Sequence, residues 1–349
     1  MTDYKKLLDD VRKNKPQSSL EPNSKILIVD GLNTYIRGFA ANPSLNEDGI
    51  HVGGITGFLQ SVGYAIRSFR PTRCIVVFDG KGGSSRRRKI YPDYKGNRKP
   101  TQRRFNRAAN FEDLQDERQS MNFQFRRVMD YLSYFPITIL VGDNTEADDI
   151  IAYVSNDIFT EEKNKCIIMS TDKDFLQLVD DRVSVWSPTK KKLYTPDSLY
   201  EEFGLYHYNY IMYKVLQGDK SDNIPGIPRY GIKRFLKLEH RVVSIDNSEP
   251  MALVRVDELT NEQYEIYSRN WLLMDLKKGY NYYDDEVPAY EKQLEQLHKS
   301  KINFSKFLDQ AKELNLWSIV RNYTSWRNSF DNNENLLNTI NKAIQNAST

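Results

Sequence analysis

Four short apolar runs constrain this chain more than any other feature: Lys25–Asp30 (KILIVD), Arg73–Asp79 (RCIVVFD), Pro136–Val141 (PITILV) and Lys165–Ser170 (KCIIMS). None alternates polar with apolar residues. Each must therefore be covered on both sides, as strands of a parallel sheet are. Val183–Trp186 is a weaker fifth run. Helical spacing recurs between them: Gly53–Phe69 carries Ile55, Phe58, Leu59, Val62 and Ile66, and Asn122–Phe135 and Glu146–Phe159 follow. Strands alternating with helices predict an α/β fold with a mostly parallel central sheet. The 349 residues divide into a leader (1–24), an α/β core (25–195), a helical part (196–330) and an Asn-rich tail (331–349). Within the helical part the pattern marks helices at Glu262–Leu276, Tyr290–Leu297, Phe304–Leu314 and Trp317–Trp326.

The net charge of +3 conceals a strong segregation. From Lys81 to Arg107 there are eleven Lys or Arg and one acid, Asp93. The surrounding stretch, about 81–119, has almost no apolar periodicity and is too long for an ordinary loop. A solvated surface would explain the charge alone. Tyr91, Tyr94 and Phe105 among the cations favour a nucleic-acid surface, because cations hold phosphates while rings stack on bases. Arg86, Arg87, Arg88 and Lys89 are the candidate phosphate contacts. No apolar run is long enough to span a membrane, and the charged N-terminus lacks the apolar segment of a secretory signal. A cytoplasmic protein without membrane contact is expected. Cys74 and Cys166 lie inside apolar runs and read as buried free thiols. The four histidines show no metal-ligand spacing, which disfavours zinc.

Acids cluster where strands end. Asp30 closes the first run and Asp79 the second, each followed by Gly. Strand C-termini line the crevice where α/β sheets bind ligands, though Asp-Gly is also a common turn. After the third run come Glu146, Asp148 and Asp149, where Thr145 and Asp148 match a capping box. After the fourth come Asp172 and Asp174, with Thr171 or Asp172 as a possible cap. Asp219 and Asp222 stand three residues apart in GDKSDNIPGIPRYG. Capping and turns explain any one pair. They do not explain nine carboxylates able to reach one sheet edge, which repel one another unless cations hold them. Oxygen ligands without His or Cys select Mg²⁺ or Mn²⁺. Two such ions, about 4 Å apart, suit in-line displacement at phosphorus.

In order along the chain, IVDG, VFDG, YKGNR, TEADD, STDKDF and GDKSDNIPGIP resemble the 5′-nuclease (flap endonuclease) superfamily, whose fold is a PIN-like α/β core. The resemblance runs from Lys25 to about Lys237. The C-terminal helices, including YSRNWLLMDL, are more similar to the T-even-type phage ribonuclease H. The resemblance implies a first metal site of Asp79, Glu146, Asp148 and Asp172, with Asp30 and Asp149 in or beside it. It implies a second of Asp174, Asp219 and Asp222. Lys95 and Arg98 match the family's active-site cations, which hold the scissile phosphate. Tyr94 is placed to stack on the terminal base, and residues 81–119 match the helical arch over a 5′ single strand. Asn223–Lys237 matches the helix–hairpin motif that grips duplex backbone, with a K⁺ ion. There the usual Gly-x-Gly gives way to Pro228-Arg229-Tyr230-Gly231. Gly226, Gly231, Lys233 and Arg234 remain as candidate DNA contacts, and N–H groups at a helix start bind phosphate with or without K⁺.

The expected activity is Mg²⁺-dependent, structure-selective phosphodiester hydrolysis: 5′ to 3′ exonuclease, flap endonuclease and RNase H-type primer removal in replication or repair. The expected substrates are DNA with a 5′ flap, nick or 5′ end and RNA·DNA hybrids. A monomer is expected, with a single-strand-binding protein or sliding clamp as candidate partners and a bacterial host cytoplasm as its place if phage-encoded. Two alternatives stand. One is a PIN-type ribonuclease, which needs neither the basic arch nor the duplex-gripping turn. The other is a catalytically silent branched-DNA-binding protein, which would be expected to lose first-site acids.

Overall fold

The structure is a computed structural model that describes residues 23–98, 105–239, 259–277, 290, 293–294 and 302–330. The leader up to residue 22, the arch residues 99–104, most of the expected helix Tyr290–Leu297 and the tail from residue 331 lie outside these. Six strands form the central sheet: β1 (Lys25–Asp30), β2 (Arg73–Asp79), β3 (Thr138–Gly142), β4 (Lys165–Met169), β5 (Val183–Ser187) and β6 (Lys192–Tyr194). Their order is β3-β2-β1-β4-β5-β6. All pairings are parallel except β5 with β6. The mixed α/β fold with a mostly parallel sheet is thus as expected. β6, only three residues long, carried no sequence signal.

Both faces of the sheet are buried, which is why the runs do not alternate. Ile26, Ile28, Ile75, Val77 and Ile168 feed one apolar cluster, and Leu27, Val29, Cys74, Val76 and Met169 feed the other. The second cluster is covered by α1 (Gly31–Ala41), α2 (Gly53–Phe69) and α4 (Leu114–Leu132). The first is covered by α5 (Ala147–Tyr153), α6 (Pro196–Phe203), α7 (Tyr210–Gln217), α8 (Ile232–Glu239) and α9 (Asn261–Met274). This cluster joins residues on both sides of position 195. Both cysteines are buried and free. Among the described residues, no helix is long and apolar enough to cross a membrane.

Three local expectations change. The chain leaves β1 straight into α1 instead of a turn: the Asp30 side chain accepts the N–H of Asn33 and caps the helix. Gly31 is needed there because a Cβ would lie 2.4 Å from the Phe78 ring. The basic stretch is more regular than its composition suggests, since it contains α3 (Ser85–Ile90) and the start of α4, which Asp113 caps. Finally, Trp317–Trp326 is two short helices, α11 (Trp317–Val320) and α12 (Tyr323–Asn328), following α10 (Phe304–Glu313).

Candidate active site at the C-terminal edge of the sheet

Chain direction along the sheet reverses between β1 and β4, and the crevice at such a switch point is where α/β sheets take ligands. Asp30 ends β1 at this crevice, Asp79 ends neighbouring β2, and Asp172 follows β4. Asp30 is buried and accepts Ser170 Oγ at 2.8 Å. Burial pushes its carboxyl up to about 7, against the hydrogen bonds from Ser170 and Asn33 and with the repulsion of Asp172 and Asp79. Asp79 accepts the N–H of Ala147 at 2.8 Å, so β2 caps α5 from outside. The capping box expected of Thr145 and Asp148 does not form, because Glu146 occupies the cap position without a side-chain bond. Asp148 is thereby left for other work. It has no hydrogen-bond or ion-pair partner among the described residues. Burial, then repulsion from Asp172, Asp30 and Glu146, raise its carboxyl well above the usual range.

A second acidic group lies alongside. Asp174 is pushed up to about 6 by burial and by Asp172, although Lys214 opposes the shift. Lys214 Nζ bridges Asp174 at 2.7 Å and Asp219 at 2.8 Å. Asp219, despite partial burial, is held down to about 2 by Lys214 and Ser221. Sequence reasoning missed Lys214, a lone cation in the apolar helix YIMYKVLQ one turn before Asp219. That setting was the available signal. The turn bearing Asp219 and Asp222 is closed by the two-residue strands β7 (Gly218–Asp219) and β8 (Ile224–Pro225). Gly226 is required by this closure, since a Cβ there would sit 1.9 Å from the Gln217 carbonyl.

Arch residues separate into two kinds. Arg87 is buried, donating to Asp149 at 2.7 and 2.8 Å, to Glu146 at 2.5 Å and to the Leu273 carbonyl at 2.8 Å. Against its own burial, Asp149 and Glu146 raise its pKa further, so it stays charged. Arg86 also turns inward, 3.8 Å from Asp149. Arg88 and Lys89 are exposed. Arg86 and Arg87 thus face the acids of α5 and its cap, and Arg88 and Lys89 are left as the exposed members of the run. Asp149 is engaged by Arg87 and turned from Asp148 by the roughly 100° step of a helix. Tyr94 is buried, so it is not free to stack on a base. Its hydroxyl lies 2.9 Å from Glu146 and 3.0 Å from Asp222. Lys95 donates to Glu146 and lies 3.9 Å from Asp222, and Arg98 donates to Asp222 at 2.5 Å. Asp222 therefore faces the arch. In the hairpin region, Gly231 is open, Lys233 is exposed and the Arg234 guanidinium stacks 4.1 Å over Tyr230.

As the side chains stand, no three His, Cys, Asp or Glu among the described residues converge at ion-holding distance. The cause is physical: Glu146, Asp149, Asp222, Asp174 and Asp219 each hold a Lys or Arg. Among the described residues Asp30, Asp79, Asp148 and Asp172 do not. They are hard oxygen donors, and the mutual repulsion felt by Asp30 and Asp148 is what a divalent cation relieves. The residues present fit such an ion.

A family model described as "5'-3' exonuclease, N-terminal resolvase-like domain" matches residues 25–204, more than half of the chain. The chain belongs to the 5′-3′ exonuclease family. It is 32% identical over 233 residues to the 5′-3′ exonuclease of Bacillus subtilis strain 168, covering 64% of this chain and 72% of that protein. It is 31% identical over 245 residues to DNA polymerase I of Bacillus caldotenax, covering 68% of this chain but 25% of that one. The chain thus spans only about a quarter of the length of the polymerases it matches. Among solved structures, a flap endonuclease of bacteriophage T5, in a pseudo-enzyme-product complex with DNA and metal ions, shares the fold. The TM-score is 0.61 at 22% identity, covering 78% of this chain and 98% of that one. The six-stranded, mostly parallel sheet is thus this exonuclease family's fold as this chain builds it.

Proposed function

We propose that this chain is a divalent-metal-dependent 5′-nuclease that hydrolyses phosphodiesters of DNA bearing a 5′ end or flap. The observation that carries this reading is four carboxylates without Lys or Arg partners among the described residues, Asp30, Asp79, Asp148 and Asp172, at the switch point. The arch-base cations Lys95 and Arg98 stand beside Glu146 and Asp222. An all-oxygen donor set favours Mg²⁺ or Mn²⁺. When bound, such an ion polarises the phosphoryl group and lowers the pKa of water. The chain's residues do the rest. Asp30, Asp79, Asp148 and Asp172 would hold the ion, Glu146 and Asp222 would be open to one only once Lys95 and Arg98 leave them, and Ser170 and the α1 cap orient Asp30. Lys95 and Arg98 hold the scissile phosphate and offset the charge it gains in the transition state. A second ion at Asp174 and Asp219 requires Lys214 to yield.

RNA·DNA primers as a substrate, a replication role and a K⁺ ion at Asn223–Lys237 belong to the same reading. They are supported by the motif order, and the C-terminal helices add the ribonuclease H likeness. The division at about residue 195 is proposed as one of sequence organisation. Cleavage of 5′-labelled flap, nicked and RNA·DNA substrates with Mg²⁺, and none in EDTA, is the expected result. Turnover in EDTA would remove the metal from the reading, and no turnover on any 5′-ended substrate would remove the activity.

The exposed arch cations give a second expectation. Affinity for flap DNA should fall steeply with salt, and neutralising Arg88 and Lys89 together should lower the slope of log K against log salt by about 1–2. An unchanged slope in this pair would place the nucleic acid elsewhere.

A further inference from the structure

The base of the arch is fastened to the turn that bears Asp222 independently of its charges. The backbone N–H of Lys95 donates to the Asp222 carbonyl at 2.8 Å, Asn97 Nδ2 to the Lys220 carbonyl at 2.9 Å, and Asn223 Nδ2 to the Asp93 carbonyl at 2.8 Å. Lys95 takes the left-handed conformation there, at φ 56°. Its side chain and that of Arg98 then reach the carboxylates of Glu146 and Asp222.

The Tyr94 hydroxyl cannot neutralise this pair. It has one proton and lies within hydrogen-bonding distance of both carboxylates, 2.9 Å from Glu146 and 3.0 Å from Asp222. The remaining charge falls to Lys95 and Arg98. Arg87 is unable to leave, since it is buried and also bonded to Asp149 and the Leu273 carbonyl. Arg98, by contrast, has a side chain 56% exposed, and Lys95 lies at the edge of the crevice with 15%.

We propose that Lys95 and Arg98 are exchangeable counterions of Glu146 and Asp222, released toward the substrate phosphate when a divalent cation takes over those carboxylates. The backbone tethers keep the two side chains beside the site after release. Ion binding and phosphate binding are then coupled through the same two residues: the ion-loaded state is the one in which they are free to bind phosphate. This rests on the metal-dependent reading above.

The test is Mn²⁺ titration of the full chain without DNA, followed by electron paramagnetic resonance of the free ion. The Lys95→Gln/Arg98→Gln double variant should bind Mn²⁺ about tenfold more tightly than the unaltered chain, because the ion no longer competes with internal cations. Arg88→Gln/Lys89→Gln removes the same charge from the exposed arch. It should change affinity by no more than about twofold at about 0.15 M salt. Limited trypsin digestion supplies the second measurement: Mn²⁺ should speed cleavage after Lys95 and Arg98 several-fold, and EDTA should reverse it. Equal Mn²⁺ affinity in the Lys95/Arg98 variant, or equal tightening in the Arg88/Lys89 control, overturns the exchange and leaves the nuclease reading intact. Absence of Mn²⁺ binding by the unaltered chain overturns the nuclease reading itself.

Discussion

Asp148→Asn is expected to lower single-turnover cleavage by on the order of 10³-fold while leaving flap affinity within a few-fold, because it removes a negative oxygen from an acidic group that holds no Lys or Arg among the described residues. The same variant should be more stable than the unaltered chain in EDTA. Burial first, and then repulsion from Asp172, Asp30 and Glu146, disfavours the charged Asp148 carboxylate, so amidation relieves strain that the fold tolerates for function. A gain of about 1 kcal/mol is the usual size of such an effect. Undiminished turnover would remove Asp148 from the site, and loss of stability in EDTA would contradict the repulsion.

The pH dependence has a definite sign. The Asp30 carboxyl lies at about 7 in the folded chain against an ordinary 3.8. Between those values the folded state keeps a proton that the unfolded state has lost. Its contribution to stability is complete below about pH 4 and is lost as the pH rises to about 7. Ion-free protein should therefore lose stability along this interval, and a divalent cation should restore it.

Arg87→Ala is expected to destabilise the fold by about 3–5 kcal/mol, measured by urea denaturation. The guanidinium serves Asp149 and Glu146, both buried, and removing it leaves Asp149 only the more distant Arg86, 3.8 Å away. Arg87→Lys should recover little, because one ammonium cannot reproduce the two-pronged bond to Asp149. Arg87→Met combined with Asp149→Leu should recover more than either change alone, since it deletes both halves of the pair. If Arg87→Ala cost less than about 1 kcal/mol and only weakened DNA binding, Arg87 would return to the phosphate surface.

The sheet was legible because burial on both faces leaves a mark in each strand: an uninterrupted apolar run. Asp30 and Asp79 were legible for the same reason, being the first polar residues after those runs. Helix α1 was not, because Asp-Gly serves equally as a turn and as a cap followed by a close-packed first residue. Deciding between them takes Phe78, which the fold brings against Gly31. The run Arg86-Arg87-Arg88-Lys89 concealed two inward-turned cations, Arg86 and Arg87, beside two exposed ones, since composition carries no direction. Asp148 and Asp149 differ by one helical step, and that step was available from the sequence. That step separates Asp148, without a Lys or Arg partner among the described residues, from Asp149, which Arg87 holds.

The bond from Arg87 to the Leu273 carbonyl also limits where such a chain can be divided. It links the root of the arch to the end of α9 across 186 positions. A fragment ending after the family-matched stretch at residue 204 would keep the acids up to Asp174 but lose a partner of the buried cation. Recombination among relatives, or truncation in the laboratory, should therefore carry residues 25–277 as one heritable unit, with exchangeable joints outside it.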